Sequence, residues 1–594
     1  MIVPMLKTYV AARQQDRQRL LEALRDLGVV HLAPVDPAKA APDDKTLAAI
    51  DTLARAAQML GEPAPRGEKG DLSPLAAAEE VLEIHRRAAE RRSRLAGLHR
   101  QVEQLAVWGD ATLEQFTRLA EAGVNVRFYS VPRDAAGEVR ADCVQVLGEL
   151  AGKRILVAAA SSGQSPVEAP EAAEALELPS RDRPSLRAEA GEIDAALAAD
   201  EERLGVLAHL RDDMEAERRR LERKAEYAAA SNGGLHADAL YAVQGWVPAD
   251  KAEALSGGLA EAGVPAGVQT APPREGEAPP TLVVLPRWAR PIQGLMKILG
   301  IQPGYGEPDV SVAFMIALPI FAAMLFSDGG YGLTLLLLPI VLRRKVIAKM
   351  GRNVANLTMV IGALSMLWGA LTGSFFGVDV PGLLGGKPLI AVSLDAGPMN
   401  FLMRLSFTIG VVHLVVAQLW RGVRLWPNLA LLSKVGWAAF LVGMYSVVTH
   451  FVLGRPAELT SPAIIWPCMV GGAMAVLFAS PSWNVPKMVA LGLANFPLAA
   501  LGTFSDIMSY VRLMAVGLAG SVLATSFNEL AMRAGPVLLV PILIFGHGLN
   551  LGLCLIALFA HGVRLNVLEF SNNLGLEWSG YPYQPFGSDQ PQET

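Results

Sequence analysis

Phe504–Ala524 reads FSDIMSYVRLMAVGLAGSVLA, an apolar run with a single guanidinium, Arg512, in its middle. The run has the composition of a membrane helix, and no acidic residue stands within one turn of Arg512. A guanidinium at membrane depth costs at least about 2.5–3.5 kcal/mol, and more by some measures. It cannot lose its proton under biological conditions, so it is a fixed positive post and not a relay. An unpaired fixed cation in a membrane helix predicts an anionic partner outside this chain.

Working outward, the surrounding half of the chain is apolar as a whole. From Val310 to Thr594 there are 10 acidic and 15 basic residues, a net of +5. The remainder, from Met1 to Asp309, carries 47 acidic and 37 basic, a net of −10. With 594 residues, 52% of them hydrophobic, and a mean hydropathy of +0.32, the chain is a charged soluble half fused to a membrane half. Apolar stretches of bilayer length fall near 310–326, 329–343, 355–378, 401–420, 429–453, 462–480, 488–531 and 536–570, predicting eight transmembrane helices. The last two exceed the ~20 residues that cross a ~30 Å hydrocarbon core. They are expected to be tilted or bent, with Pro497 as the bend in the first.

Basic residues cluster at Arg343, Arg344, Lys345, Lys349 and Arg352, then at Arg421, Arg424 and Lys434, then at Lys487. These loops follow helices 2, 4 and 6, so the positive-inside rule places them, and both termini, in the cytoplasm. The N-terminal MIVPMLKTYVAARQQDRQRLLEAL turns polar too soon for a signal peptide, which agrees.

At about 100° per residue, the face of Arg512 holds Ser505, Met508, Ser509, Ala515, Val516, Ala519 and Leu523. Most are small, which lets another helix approach closely. On the last helix the same projection groups Asn550, Ala557, Ala560 and His561 with Arg564, a polar stripe with His547 at its edge. His561 reads equally as a hydrogen-bonded interior histidine or as part of a proton path. Arg564 reads as a functional cation, as one half of an internal ion pair, or as a side chain snorkelling to the cytoplasmic side.

In the soluble half, Ser73-Pro74 is a hydroxyl cap followed by proline at the first helical position. Val81, Ile84, Ala88, Leu95, Leu98, Val102 and Leu105 then recur at spacings of 3 and 4, and a second seam runs from Pro184 through Leu186, Ile193, Leu207, Met214 and Leu221. Two such seams predict an antiparallel coiled coil of 73–110 with 184–228, either a docking rod or a self-packed bundle. A distal α/β head is expected over 111–180, where VNVRFYSV and KRILVAAA read as strands. A proximal α/β lobe is expected from 1–70 and 229–270, completing a cytoplasmic arm over 1–281. A linker at 282–309 and a membrane domain at 310–594 follow.

Three scattered cysteines, Cys143, Cys468 and Cys554, give neither a disulfide framework nor metal spacing. Gly385-Gly386-Lys387 lacks the phosphate-loop glycine spacing and is followed by Pro388. No cofactor, metal, nucleic acid or catalytic site is expected. The charges of the seams alternate in sign, as on a solvated helix face.

Two motifs now carry a family resemblance: SYVRLMAVGLA (Ser509–Ala519) and AHGVRLNVLEF (Ala560–Phe570). FSDGGYG (Phe326–Gly332), GWVP (Gly245–Pro248), PGYGEPD (Pro303–Asp309) and QPFG (Gln584–Gly587) support it. In these, and in order along nearly the whole chain, the protein closely resembles the membrane-embedded stator subunit of V-type and archaeal A-type rotary ATPases, called subunit I in bacteria and subunit a elsewhere. Its compact length is similar to the bacterial and archaeal members, which implies a prokaryotic plasma membrane.

The resemblance implies that the missing anion is a carboxylate on each subunit of a rotating proteolipid (c/K) ring. Two half-channels for H⁺ or Na⁺ would meet the ring on either side of Arg512, with Arg564 as the second arginine. Half-channel candidates by position are Asp328, Ser505, Ser509, Glu529, His547, Asn550, His561 and Glu569. The head would dock E/G-type peripheral-stalk coiled coils, and the proximal lobe would sit beside a d/C-type central-stalk cap. ATP chemistry would belong to other subunits. One departure is Gly520, where eukaryotic relatives place a histidine two turns after the first arginine. The alternative is a secondary ion transporter with a cytoplasmic regulatory domain. It predicts matching inverted halves, which the sequence lacks. A mere scaffold would leave Arg512 without a use.

Overall fold

The computed structural model describes residues 1–40, 42–61, 71–150, 152–162, 166–237, 239–392, 395–454, 462–481 and 484–587. It divides into two compact units, Pro34–Val243 and a second made of Met1–Ala33 with Gln244–Thr594.

In the first unit, Ser73 caps the 31-residue helix Pro74–Gln104 by accepting from Ala76 N at 3.3 Å. The second seam is not one continuous helix. A 3₁₀ turn, Ala208–Leu210, divides it into Arg183–Leu207 and Arg211–Gly233. A third helix, Asp44–Met59, which the sequence reading had given to the proximal lobe, packs onto this rod through Leu53 and Ala56 against Val81, Ile84 and Met214. The physical reason is that two helices leave apolar surface uncovered near the 3₁₀ turn, and Leu53, Ala56 and Leu60 cover it. The rod is therefore a three-helix bundle at one end. At the other end, two helices meet through Leu98, Leu186 and Ala190. Arg203 Nε and Nη2 reach Glu80 at 2.6 and 2.9 Å across this rod, and Arg91 pairs with Asp200.

The head is a four-stranded antiparallel sheet in the order Cys143–Leu150, Arg154–Ser162, Val124–Pro132, Glu174–Leu176. Asp182 joins it to the rod. Its carboxylate caps helix Arg183–Leu207 at Ser185 N (2.8 Å) and accepts from Leu113 N (2.9 Å) at the start of the head's helix. These bonds hold its carboxyl below the ordinary value of 3.8, the Leu113 bond most of all.

In the second unit, strands Met5–Arg13 and Ala266–Ala271 pair antiparallel, as do His31–Ala33 and the Gln244–Trp246 part of strand Leu240–Pro248. Helices Arg17–Leu27 and Ala252–Glu261 accompany this sheet. The stretch 282–309, expected as a plain linker, contains helix Pro291–Leu299, whose Ile292, Leu295 and Met296 are buried in the same core as the apolar helices. Their spacing gives that short helix an apolar face, and burial is favourable at about 25 cal/mol per Å².

The apolar stretches all fold as helices: Ser311–Phe326, Gly329–Val341, Arg352–Thr372, Ala396–Arg424, Ala430–Leu453, Pro462–Leu477, Val485–Arg533 and Pro536–Leu574. Among the described residues, five are long and apolar enough to cross a membrane. Ser311–Phe326, Gly329–Val341 and the helix from Pro462 are shorter than the expected full spans. The first two are cut short where Ser327 turns to φ +49° and Asp328 caps the next helix.

Glycines let helices Gly329–Val341 and Arg352–Thr372 touch backbone to backbone. A Cβ at Gly369 would lie 2.1 Å from Gly329 N, and one at Gly332 2.3 Å from Met366 N. Pro497, expected to bend the long helix, lies inside the regular segment Val485–Ser509. The discontinuity falls at Tyr510, where Tyr510 N→Ile507 O and Leu513 N→Tyr510 O (both 3.1 Å) tighten the turn.

Candidate functional site

Tyr510 is the anchor that aims Arg512. Its ring is fully buried against Gly410, where a Cβ would come within 2.4 Å of it, and its hydroxyl is 2.8 Å from His413 Nδ1. Two residues on, in helix Val511–Arg533, Arg512 Nε donates to Ser509 O at 2.8 Å. Its Nη2 donates to Glu569 Oε1 at 3.0 Å. The expectation of an unpaired Arg512 is thus corrected, because the chain supplies a carboxylate 57 residues away.

Arg564 Nε lies 3.7 Å from the same Glu569 oxygen. Glu569 can serve both arginines because Leu558–Val563 and Leu565–Phe570, on either side of Arg564, are π-helical, with a wider turn than α. That turn brings residues five apart, Arg564 and Glu569, to one side. It also undoes the projected stripe. His561 stays near the guanidiniums of Arg512 and Arg564, whereas Asn550, on the α-helical stretch before, belongs to a different cluster.

Two guanidiniums against one carboxylate leave this site with an excess positive charge. Asp506, which the sequence reading passed over, accepts from Asn573 Nδ2 at 2.8 Å. Asn573 Nδ2 also donates to Glu569 O at 2.8 Å, and Asn573 Oδ1 accepts from Gln418 Nε2 at 2.8 Å. Asp506, Asn573 and Gln418 extend the polar site away from the arginines. The only sequence signal for them was the rarity of polar side chains in apolar helices.

The face of Arg512 is open. Ser505, Ala515 and Ala519 are exposed, and Met508, Ser509, Val516 and Leu523 are half-buried. Ser509 Oγ bonds back to Ser505 O at 3.0 Å.

A second polar cluster lies further along the same helix. His547 reaches Asn528 Oδ1 through Nε2 (3.0 Å) and Tyr331 Oη through Nδ1 (2.9 Å). Asn550 Nδ2 donates to that hydroxyl (2.9 Å) and to Gly520 O (2.8 Å). Asn550 therefore occupies the neighbourhood of Gly520. Asn528, Tyr331 and Asn550 come from three different helices.

Asp328 makes its own set of bonds. It is 0% exposed, and Oδ1 accepts from Gly330 N, Tyr331 N and Phe376 N at 2.8, 3.2 and 2.8 Å. Oδ2 accepts from Ser374 Oγ and Gly377 N, both at 2.8 Å. This carboxylate caps a helix and holds the 374–377 turn. Glu529 is exposed and sits 3.5 Å from Arg533, one turn on, apart from both clusters. Among the described residues, no group of three His, Cys, Asp or Glu could hold a metal ion.

No family model matches the chain. The V-type ATP synthase subunit I 1 of Treponema pallidum is 31% identical over 636 residues, covering 99% of this chain and 100% of the relative. The V-type ATP synthase subunit I of Borreliella burgdorferi is 27% identical, covering 99% of each. The A-type ATP synthase subunit I of Archaeoglobus fulgidus is 28% identical over 53% of this chain and 54% of its own length. A crystal structure of the cytoplasmic N-terminal domain of V-ATPase subunit I, at 18% identity, covers 45% of this chain and 100% of its own with a TM-score of 0.18. A 31% identity over 99% of this chain and 100% of the relative shows that the chain belongs to the V-type ATP synthase subunit I family.

Proposed function

We propose that Arg512 and Arg564 face a ring of carboxylate-bearing subunits, and that ions reach the ring through the two polar clusters beside them. As a member of its family, the chain is the membrane-embedded stator subunit of a V/A-type ATP synthase and carries no catalytic site of its own. The observation that supports the finer reading is the charge count. Of the groups in ion-pair contact, one buried carboxylate serves two guanidiniums, a net of +1 behind an open face of small residues, with the Asp506 carboxyl set apart across Asn573. In an apolar surrounding, that charge calls for one more anion, and a moving carboxylate supplies it.

The two clusters suit two half-channels. At ~1.5 Å per residue, Gly520, which accepts from Asn550, lies roughly 12 Å along the helix from Arg512, and Asn528 roughly 24 Å. The Asp506–Asn573–Gln418 group lies on the other side of Arg512. Between them stand a guanidinium that never deprotonates and apolar Ala515, Val516 and Ala519, which together block direct leakage. His547, Asn550, Ser505, Ser509 and His561 are assigned to the linings and Glu569 to the arginines.

On this reading both termini and the 1–281 arm lie in the cytoplasm, an orientation that the basic loops support, and the chain crosses a prokaryotic plasma membrane eight times. The head carries the peripheral stalk, and the proximal lobe sits beside the central-stalk cap. The test is Arg512→Gln in the assembled complex. ATP-driven pumping should vanish while the complex still assembles, and normal pumping would refute the assignment.

A further inference from the structure

Glu569 is the one buried acid at the arginines, and its partnership is incomplete. Its side chain is 5% exposed and its Oε1 joins Arg512 and Arg564, yet Oε2 is buried with no hydrogen-bond donor among the described residues. The titratable groups around it are few. They are the two arginines, His561 beside them, Asp506 and Tyr510 within electrostatic reach, and His413, stacked on the adjoining Phe570 at 4.4 Å. Helix Ser311–Phe326, packed on the same stretch, has no titratable residue.

We propose that Glu569 is a proton-accepting counter-ion that trades places with the ring carboxylate at Arg512, a role that rests on the stator reading above. A ring carboxyl group arrives protonated. Its O–H bond breaks and, as the Glu569 carboxylate turns away from Arg512 and brings its buried Oε2 toward the open face, the proton forms a new O–H bond at that oxygen. The ring carboxylate, now anionic, takes Arg512 as Glu569 becomes neutral and lets it go. Before the exchange, two guanidiniums, one carboxylate and one neutral carboxyl sum to +1. Afterwards the sum is unchanged, with the negative charge moved from one acid to the other. Constancy matters here, because creating net charge in a poorly solvated site is costly. Asp506 is the next acid on the far side of Asn573, which bonds both Asp506 Oδ2 and Glu569 O at 2.8 Å.

The experiment compares ATP-driven pumping by the assembled complex in vesicles for Glu569→Gln, Glu569→Asp and Arg512→Gln, with subunit content measured for each. Glutamine keeps the size of Glu569 and accepts from arginine but takes no proton. E569Q should assemble and pump at least about tenfold more slowly. E569D should pump with a pH profile displaced from that of the parent, a readout that a purely structural acid leaves alone. Parental pumping by E569Q, an unmoved profile in E569D, or pumping that follows Na⁺ and ignores pH overturns the exchange. If R512Q is inactive in the same series, the stator reading survives that failure; if R512Q pumps normally, the stator reading itself falls. Should E569Q not assemble, the profile of E569D decides.

Discussion

Replacing Asp328 by asparagine separates a structural acid from a proton carrier. The carboxylate accepts five hydrogen bonds, three at Oδ1 and two at Oδ2, and is fully buried. In Asp328→Asn, the amide oxygen best takes the Oδ1 place and keeps three acceptors' worth of bonds. These bonds lose their ionic character, and charge-assisted bonds are roughly twice as strong as neutral ones. The amide nitrogen then faces Gly377 N–H, donor against donor, leaving a buried N–H unmet at about 1–3 kcal/mol. The Ser374 hydroxyl escapes by turning to accept.

Together these losses amount to about 3–5 kcal/mol for asparagine, and to more for alanine, which orphans all five donors. The assay is the thermal midpoint of the assembled complex in detergent, with pumping per assembled complex measured beside it. The midpoint should fall, alanine below asparagine, while surviving D328N complexes pump at close to the parental rate. An unchanged midpoint with pumping lost more than about tenfold would refute the structural assignment.

Two further outcomes follow from the packing and the capping. Gly369→Ala puts a Cβ 2.1 Å from Gly329 N, a backbone atom that cannot yield without separating two helices. Assembly yield and thermal midpoint should both drop, by about 3 kcal/mol if overpacking behaves as in other cores. Asp182→Ala removes the cap shared by the rod and the head, costing about 1 kcal/mol at neutral pH. Because the folded carboxyl titrates below 3.8, its stabilisation is present above that pH and disappears as pH falls through the lower folded value. Thermal unfolding against pH should therefore show parent and variant converging only in strong acid.

Local pattern made much of the soluble half legible. Ser73-Pro74 announces its helix by a bond to Ala76 N, three residues on, and two strands of the head stand out as the β-branched and aromatic runs VNVRFYSV and KRILVAAA. The third helix of the bundle was missed because Leu53 and Ala56 meet Val81 and Met214 only after the chain has returned. Polar neighbours in the membrane half failed to show for a related reason. Asn573 touches Gln418 across 155 positions, and Tyr331 touches Asn550 across 219.

Membrane residence and the presence of a fixed cation at Arg512 could be read from residue order alone, because apolar length and a non-titrating side chain need no fold to be recognised. What that cation touches came from folding. Glu569 reaches it through a π-helical stretch, and turn geometry is set by packing against other helices, which no fixed angle per residue can anticipate. For the same reason the setting of Asp328 was hidden: its five donors come from segments up to 49 residues away, and they gather around one carboxylate only once the chain has folded.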